Sequence, residues 1–205
     1  MNYIVMIYSI VLDGLWGFYM FLRGKQGKRV AFFFALLATA AGSCLFQLYD
    51  YRIFKCMRYL ILMNGVMLIA EIDHEKRMIP NKILGKLFLI RLIILVCEMI
   101  ENRNSGYLKE VILVPVLGFL LGGGIFFLCY FLARSGIGAG DVKLFAVIGF
   151  YVGTGSIFPV MILSALFSAV YGIGMVALHK IKLKDSIPFG PFAAAGTVLA
   201  LLAGF

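Results

Sequence analysis

Long runs of apolar residues, separated by short polar segments, dominate the pattern of this chain. The runs do not alternate between apolar and polar residues as the strands of a membrane barrel do, so they predict helices. Several are shorter than the roughly 20 residues of a full membrane crossing. The pattern predicts an all-α, polytopic transmembrane bundle of six to eight helices. The predicted helices are Tyr3–Leu22, Val30–Leu48, Tyr59–Ile72, Leu84–Met99, Val111–Ala133, Val142–Val152, Ile157–Leu178 and Phe189–Gly204.

Composition supports the membrane assignment and excludes a soluble globular domain. The chain of 205 residues is 62% hydrophobic and only 14% charged, whereas soluble domains are about 45–50% apolar and about 25% charged. No tract of low complexity or soluble segment of useful size interrupts the apolar runs. We therefore expect one integral membrane domain over residues 1–205, in which residues 1–58 supply N-terminal helices and residues 59–205 form the functional core.

The net charge of +9 is better explained by membrane topology than by nucleic-acid binding. Lysine and arginine cluster in short segments between apolar runs, where they contact cytoplasm and anionic lipid headgroups. Strict alternation from a cytoplasmic Arg23–Arg29 segment places Asp73 and Asp141 together on the cytoplasmic face. The segment Asp50–Arg58 is assigned outside despite three basic residues, unless Val30–Leu48 is a re-entrant hairpin. In either case the two aspartates fall on the same face.

Metal and cofactor chemistry finds no support in the sequence. The four cysteines include no C-x-x-C pair, and the two histidines lie far apart in the chain. Free cysteine in an apolar run behaves as a small hydrophobic residue. We expect no disulfide framework, no metal site and no organic cofactor.

Two aspartates at the borders of apolar runs are the candidate reactive groups. Asp73 lies in the segment IDHEKRMIPN and Asp141 lies in the segment SGIGAGDVK. A carboxylate at a membrane helix end is costly and is a functional-site hypothesis by default. The alternative for either residue alone is a helix N-cap. For Glu98 we favour polar packing or snorkelling over catalysis, and for Gly122–Gly124 we favour close helix packing over chemistry.

Two carboxylates can hydrolyse a peptide bond when one is ionised and the other protonated. The first takes a proton from water, and the second donates a proton to the carbonyl oxygen. Neighbouring carboxylates resist ionising together, so such a pair shares one proton. No Ser-His-Asp set competes with this reading.

Several neighbours of the two aspartates are expected to support the site. Gly138 and Gly140 allow positive φ and a close backbone approach, and Lys143 is near enough to tune charge or meet a headgroup. Pro80 ends one helix, and Asn81 can cap the next.

Three sequence blocks together resemble the type IV prepilin peptidases, a family of membrane aspartic endopeptidases. The first block is Asp73 followed by Arg77 and the triplet Ile-Pro-Asn. The second is GAGDVKL, which contains the G-x-G-D motif, and the third is IPFGPF near the C-terminus. The resemblance implies that Asp73 and Asp141 are catalytic, and that Pro188 and Pro191 line the substrate groove.

The same resemblance implies a substrate and leaves alternatives open. The substrate would be a prepilin or pseudopilin, cut on the cytoplasmic side of the cell membrane between a basic leader and a hydrophobic helix. The chain lacks the cysteine pairs of the family's methyltransferase domain, so we predict a peptidase without methyl transfer. The short form also resembles the archaeal preflagellin peptidases. A transporter or channel that uses both acids as ion or proton sites, and an inactive pilin-binding scaffold, are the rival readings.

Overall fold

The computed structural model describes residues 39–42, 49–133, 138–182 and 186–205, and these ranges are helical with no β-strand. Residues 39–42 form part of a helix. The remaining helices are α1 (Ile53–Lys76), α2 (Asn81–Glu101), α3 (Leu108–Ala133), α4 (Ala139–Ala177) and α5 (Gly190–Leu202). The prediction of an all-α bundle is confirmed.

Helix boundaries agree with the hydrophobic pattern to within a few residues, except that α1 begins earlier than predicted. Its first two turns contain the charged residues Lys55 and Arg58, so the apolar run used for the prediction began only after them. The predicted helix Tyr3–Leu22, and Val30–Leu48 outside residues 39–42, lie beyond the described ranges.

Successive helices run in opposite directions, which gives the bundle two distinct ends. At one end Arg52 precedes α1 and donates from Nη1 to Oδ1 of Asn102, just after α2, at 2.8 Å. We call this the far end. The end that contains Lys76, where α1 stops, and Ala139, where α4 starts, is the near end. Asp73 and Asp141 both lie at the near end, because Asp73 is in the last turn of α1 and Asp141 is in the first turn of α4.

The chain reverses direction inside α4, at Gly153. This residue has φ 78° and ψ −172°, which no helix interior adopts. A Cβ on Gly122 of α3 would lie 3.0 Å from the carbonyl carbon of Phe145 and 3.2 Å from Cδ1 of Ile157. A straight helix would separate those two α4 residues by about 18 Å. The prediction of separate helices Val142–Val152 and Ile157–Leu178 is therefore confirmed, and the tip between them is partly buried.

Small residues bring α3 and the first half of α4 into main-chain contact. A Cβ on Gly149 would collide with the carbonyl oxygen of Gly118, and the reverse is also true. Further along, the rings of Phe126 and Phe145 stack with centroids 3.9 Å apart. Gly122 and Gly123 both lie against α4. The expectation that the glycine run serves helix packing is confirmed for these two residues.

Three of the described helices are long and apolar enough to cross a membrane: α1, α3 over Leu108–Leu132, and α4. The shorter α5 is also apolar. Many large apolar side chains are exposed on the outside of the bundle, including Ile93, Phe131 and Ile173. Such a surface is suited to lipid rather than to water. The chain is a multi-pass membrane protein.

Candidate active site

Asp73 lies in the last turn of α1, and Arg77 is the residue that caps the end of this helix. Arg77 adopts a left-handed conformation with φ 52° and ψ 38°, and its amide donates to the main-chain oxygen of Asp73 at 2.7 Å. This helix ending closes α1 with an internal hydrogen bond. The Asp73 side chain is only 5% exposed. The carboxylate is thus held at the edge of the bundle and is not free in solvent.

The connection from α1 to α2 differs from the sequence prediction in one respect. Asn81 was expected to cap α2, but the cap position is held by Pro80, with φ −75° and ψ 112°. The carbonyl of Pro80 accepts from the amide of Leu84 at 3.3 Å. Asn81 is the first helical residue, and its side chain is engaged elsewhere: Oδ1 accepts from Nζ of Lys143 at 3.1 Å. The tertiary contact outcompetes a local cap.

Asp141 lies in the first turn of α4 and bonds back to the residue that caps that helix. Its Oδ2 accepts from the amide of Gly138 at 3.0 Å. Gly138 has φ −82° and ψ 147°, and Gly140 is helical, so neither has the positive φ expected from the sequence. The close approach is confirmed instead. A Cβ on Gly140 would lie 3.1 Å from Cβ of Ile79.

The third sequence block meets Asp73 through a main-chain amide. The N–H of Gly190, the first residue of α5, donates to Oδ2 of Asp73 at 2.8 Å. Pro191 follows in the first turn, where its missing N–H costs nothing. A Cβ on Gly190 would lie 2.9 Å from both Cβ and Oδ2 of Asp73. Glycine is therefore required here for space.

The two carboxylates are anchored in the same way. Each lies at the N-terminus of a helix, α4 for Asp141 and α5 for Asp73, and each accepts one amide hydrogen bond through Oδ2. Helix N-termini favour negative charge through their unpaired amides and the helix dipole. Among the described residues, Oδ1 of neither carboxylate has a hydrogen-bond partner.

One cavity of about 1430 Å³ contains both aspartates. Its polar side includes Arg77 and Lys143, and its apolar side comes from α3 and from the second half of α4. Of the predicted supporting residues, Asn81, Gly138, Gly140, Lys143 and Pro188 also line it. Pro80 and Pro191 lie outside the lining and shape the starts of α2 and α5.

The part of the chain that the structure describes contains no group of three or more His, Cys, Asp or Glu residues that could hold a metal ion. What the cavity provides is two carboxylates, each with one oxygen anchored to the main chain. Water between the free oxygens would have an acceptor on one side and, when one acid is protonated, a donor on the other.

Two contributors to the site were absent from the predicted set. Gly190 appeared only as part of a sequence block. Its role is that of a main-chain donor, which residue type alone does not indicate. Phe189 lies against Phe126 and Phe145, with ring centroids 5.8 Å away in each case. The sequence shows that Phe189 lies in an apolar segment, but it does not show that its ring contacts residues of α3 and α4.

These features define a multi-pass membrane protein with two main-chain-anchored aspartates in a single cavity. The type IV leader peptidase family matches residues 60–173, and a curated relative is 31% identical over 91% of this chain. The chain belongs to the type IV leader peptidase family. Both aspartates lie inside the matched segment, whereas Gly190 lies beyond it.

Curated relatives share the same name, prepilin leader peptidase/N-methyltransferase. The protein of Bacillus subtilis (strain 168) is 31% identical over 196 residues, which is 91% of this chain and 73% of the relative. The protein of Aeromonas salmonicida (strain A449) is 29% identical over 148 residues, 71% of this chain and 48% of the relative. The chain spans about half the length of the Aeromonas protein. No solved structure matches the chain significantly.

Proposed function

We propose that this protein is a membrane aspartic endopeptidase that removes the leader peptide of type IV prepilins or related pseudopilins. The observation that carries the proposal is the meeting of Asp73 and Asp141 in one cavity, from positions far apart in the chain. Family membership and the name of the curated relatives support the substrate class.

The proposed mechanism follows from the two anchored carboxylates. The ionised aspartate accepts a proton from water through its free oxygen, and that water attacks the carbonyl carbon of the scissile bond. The protonated aspartate donates to the carbonyl oxygen. Collapse of the tetrahedral intermediate breaks the C–N bond. The aspartate that took the proton from water gives it to the leaving amine, and the other aspartate recovers its proton from the hydroxyl of the intermediate. The amides of Gly138 and Gly190 keep the carboxylates in place during the exchange.

We propose a role for each supporting residue. Gly138 and Gly140 let the G-x-G-D turn approach the first block closely, and the Lys143–Asn81 hydrogen bond ties the two blocks together. Pro80 sets the start of α2. Pro188 and Pro191 frame the segment that presents the amide of Gly190.

We further propose that the near end faces the cytoplasm in the cell membrane. Basic residues at that end include Lys76, Arg77, Lys82 and Lys86, as the positive-inside tendency requires. The basic residues at the far end, which conflicted with simple alternation, are engaged within the protein. Arg58 pairs with Glu98 at 3.1 Å, and Nζ of Lys55 lies 3.5 Å from the ring centroid of Tyr51.

The proposal keeps the division of one membrane domain into N-terminal helices, residues 1–58, and a peptidase core, residues 59–205. The family match over residues 60–173 supports it, although α1 begins at Ile53 and its first turns belong with the core. Methyl transfer, the second activity in the relatives' name, is not part of the proposal because the sequence has no C-x-x-C pairs.

A cleavage assay tests the function. Purified protein is incubated with a membrane-inserted substrate that has a basic leader, a glycine and a hydrophobic helix. We expect Asp73→Asn and Asp141→Asn to lower turnover by at least about 100-fold. Asp50→Asn is the matched control, because this exposed far-end residue has φ 52°, which asparagine tolerates. Full activity in either cavity variant, with Asp50→Asn also active, would refute the two-aspartate mechanism.

A further inference from the structure

Arg91 is a fully buried arginine in the middle of α2, remote from the cavity. Its Nη1 donates to Oε2 of Glu98 at 2.9 Å, and its Nε donates to the main-chain oxygen of Phe150 at 3.0 Å. A buried charge in a membrane helix is expensive and requires a compensating role. The proposed reaction leaves this residue unused.

The charge on Arg91 is not needed to neutralise Glu98. Arg58 of α1 already pairs with the other carboxylate oxygen of Glu98, so the cluster of two arginines and one glutamate has a net positive charge. Nη2 of Arg91 also has no hydrogen-bond partner among the described residues. A neutral pair between Arg58 and Glu98 would suffice for packing, so the surplus cation must be explained by its other contact, Phe150.

Phe150 belongs to the last turn of α4 before the reversal at Gly153. Carbonyls in the last turn of a helix lack intrahelical amide partners, and the helix dipole makes that end negative. Phe150 and Tyr151 in this turn are 4% and 0% exposed, so water has little access to their carbonyls. The guanidinium of Arg91 supplies both a donor and a positive charge. Its central carbon also lies 5.4 Å from the Phe150 ring centroid.

Two further contacts make the buried end of this segment a fixed point. The hydroxyl of Tyr151 donates to the main-chain oxygen of Leu87 on α2 at 2.7 Å, and Gly149 lies against the main chain of Gly118 on α3. The opposite end of the same helical segment carries Asp141, about 14 Å from Phe150 by helix rise. A rigid helix of this length transmits any shift of its capped end to the carboxylate.

We infer that Arg91 is a positioning residue for Asp141: it caps the buried C-terminal end of the α4 segment that presents this aspartate to the cavity. The inference rests on the proposed function for its kinetic consequence. Its structural consequence is independent of activity: without the cap, the distance between the start of α4 and the α1–α2 connection varies more.

The key variant is Arg91→Met, which keeps an unbranched apolar stem, shorter than that of arginine, and removes the cap. It leaves Glu98 paired with Arg58, so the substitution creates no unpaired buried carboxylate. We expect turnover to fall at least about ten-fold with KM within about two-fold of wild type, since only the placement of a reacting group changes. Arg91→Lys keeps the charge and one donor at the helix end, and we expect it to restore most of the lost turnover.

A distance measurement separates positioning from general loss of structure. Spin labels are placed at Met78→Cys and Ala139→Cys, two exposed positions next to the contact between Ile79 and Gly140, in a background without the native cysteines. We expect a broader distance distribution with Arg91→Met than with wild type, and an intermediate width with Arg91→Lys. Arg52→Gln, a variant of an exposed arginine that contacts Asn102 and not α4, is the control and should match wild type in both readouts.

Each outcome has a defined meaning. Wild-type turnover and an unchanged distance distribution in Arg91→Met would overturn the inference, as would equal losses in the Lys and Met variants that follow their thermal unfolding. If Arg91→Met does not insert, Arg91→Lys decides: a distance distribution broader than that of wild type supports the inference, and a wild-type width overturns it. If the wild-type protein cleaves nothing, the proposed function fails, but the spin-label distances still test the positioning role.

Discussion

At the scale of single residues, the site depends on main-chain amides as much as on carboxylates. Asp73 and Asp141 are visible in the sequence because acids are costly at the ends of apolar runs. Their anchors, the amides of Gly190 and Gly138, have no side chain and could be located only by the fold. The carboxylates are therefore predictable from residue type, whereas their orientation is a product of tertiary structure.

Gly190→Ala tests the anchor on Asp73. The added methyl group would lie 2.9 Å from the aspartate's Cβ and Oδ2, so the side chain must move and the hydrogen bond to the amide must lengthen. We expect turnover to fall at least about ten-fold, because small displacements of a reacting group are costly. Cleavage kinetics and thermal unfolding in detergent are measured together.

Gly85→Ala is the control for that substitution. Gly85 lies inside α2, and a Cβ there meets no atom within 4 Å, so alanine should raise the free energy of unfolding by about 0.5–1 kcal/mol through helix propensity. We expect normal turnover in this variant. Equal turnover for the two alanine variants would show that close packing of Gly190 on Asp73 does not matter for activity.

Asn81 and Arg91 have hydrogen-bond partners that residue type and local spacing did not predict. Asparagine before a helix is a common cap, but Asn81 instead accepts a hydrogen bond from Lys143, 62 positions later in the chain. Arg91 interrupts an apolar run, and Glu98 lies seven residues further on the same helix face, which was an available signal of a buried pair. The third partner, the oxygen of Phe150, has no such signal in the sequence.

At the scale of elements, glycines at the interface between α3 and the first half of α4 determine the distance between these two helices. Gly118 and Gly149 touch through their main chains. Small residues at such an interface allow the close approach that drives association of membrane helices. The pattern of glycines predicted close packing, but which glycines face the partner helix depended on the reversal at Gly153.

Gly149→Ala tests this interface. A methyl group at that position would collide with the carbonyl of Gly118, so the two helices must separate. We expect the free energy of unfolding to fall by about 1–3 kcal/mol, the usual cost of overpacking. Gly124→Ala, in the glycine run of α3 but with no atom within 4 Å of the added Cβ, should be neutral or slightly stabilising. Equal melting curves for both variants would contradict the assignment of the interface.

At the scale of the whole molecule, the antiparallel order of the helices brings three sequence blocks to one end of the bundle. The hydrophobic pattern predicted the helices, and the spacing of the basic residues predicted that both aspartates share a face. The cavity itself requires the second half of α4 to return toward the near end, where Met161 and Ala165 line the cavity. The hydrophobic pattern predicted that return as the separate helices Val142–Val152 and Ile157–Leu178, but not which of their residues line the cavity.

The orientation of the bundle in the membrane can be measured with two single-cysteine variants that lack the native cysteines. Met78→Cys marks the near end and Ser105→Cys the far end, and both positions are exposed. Because basic residues at the near end favour the cytoplasm, a membrane-impermeant maleimide should label Met78→Cys in inside-out vesicles and Ser105→Cys in right-side-out vesicles. The reverse pattern would place the cavity on the outer face, away from a leader peptide still in the cytoplasm. Labelling of both positions from one side would contradict the antiparallel order of α1 and α2, because their connection and the α2–α3 loop would then share a face.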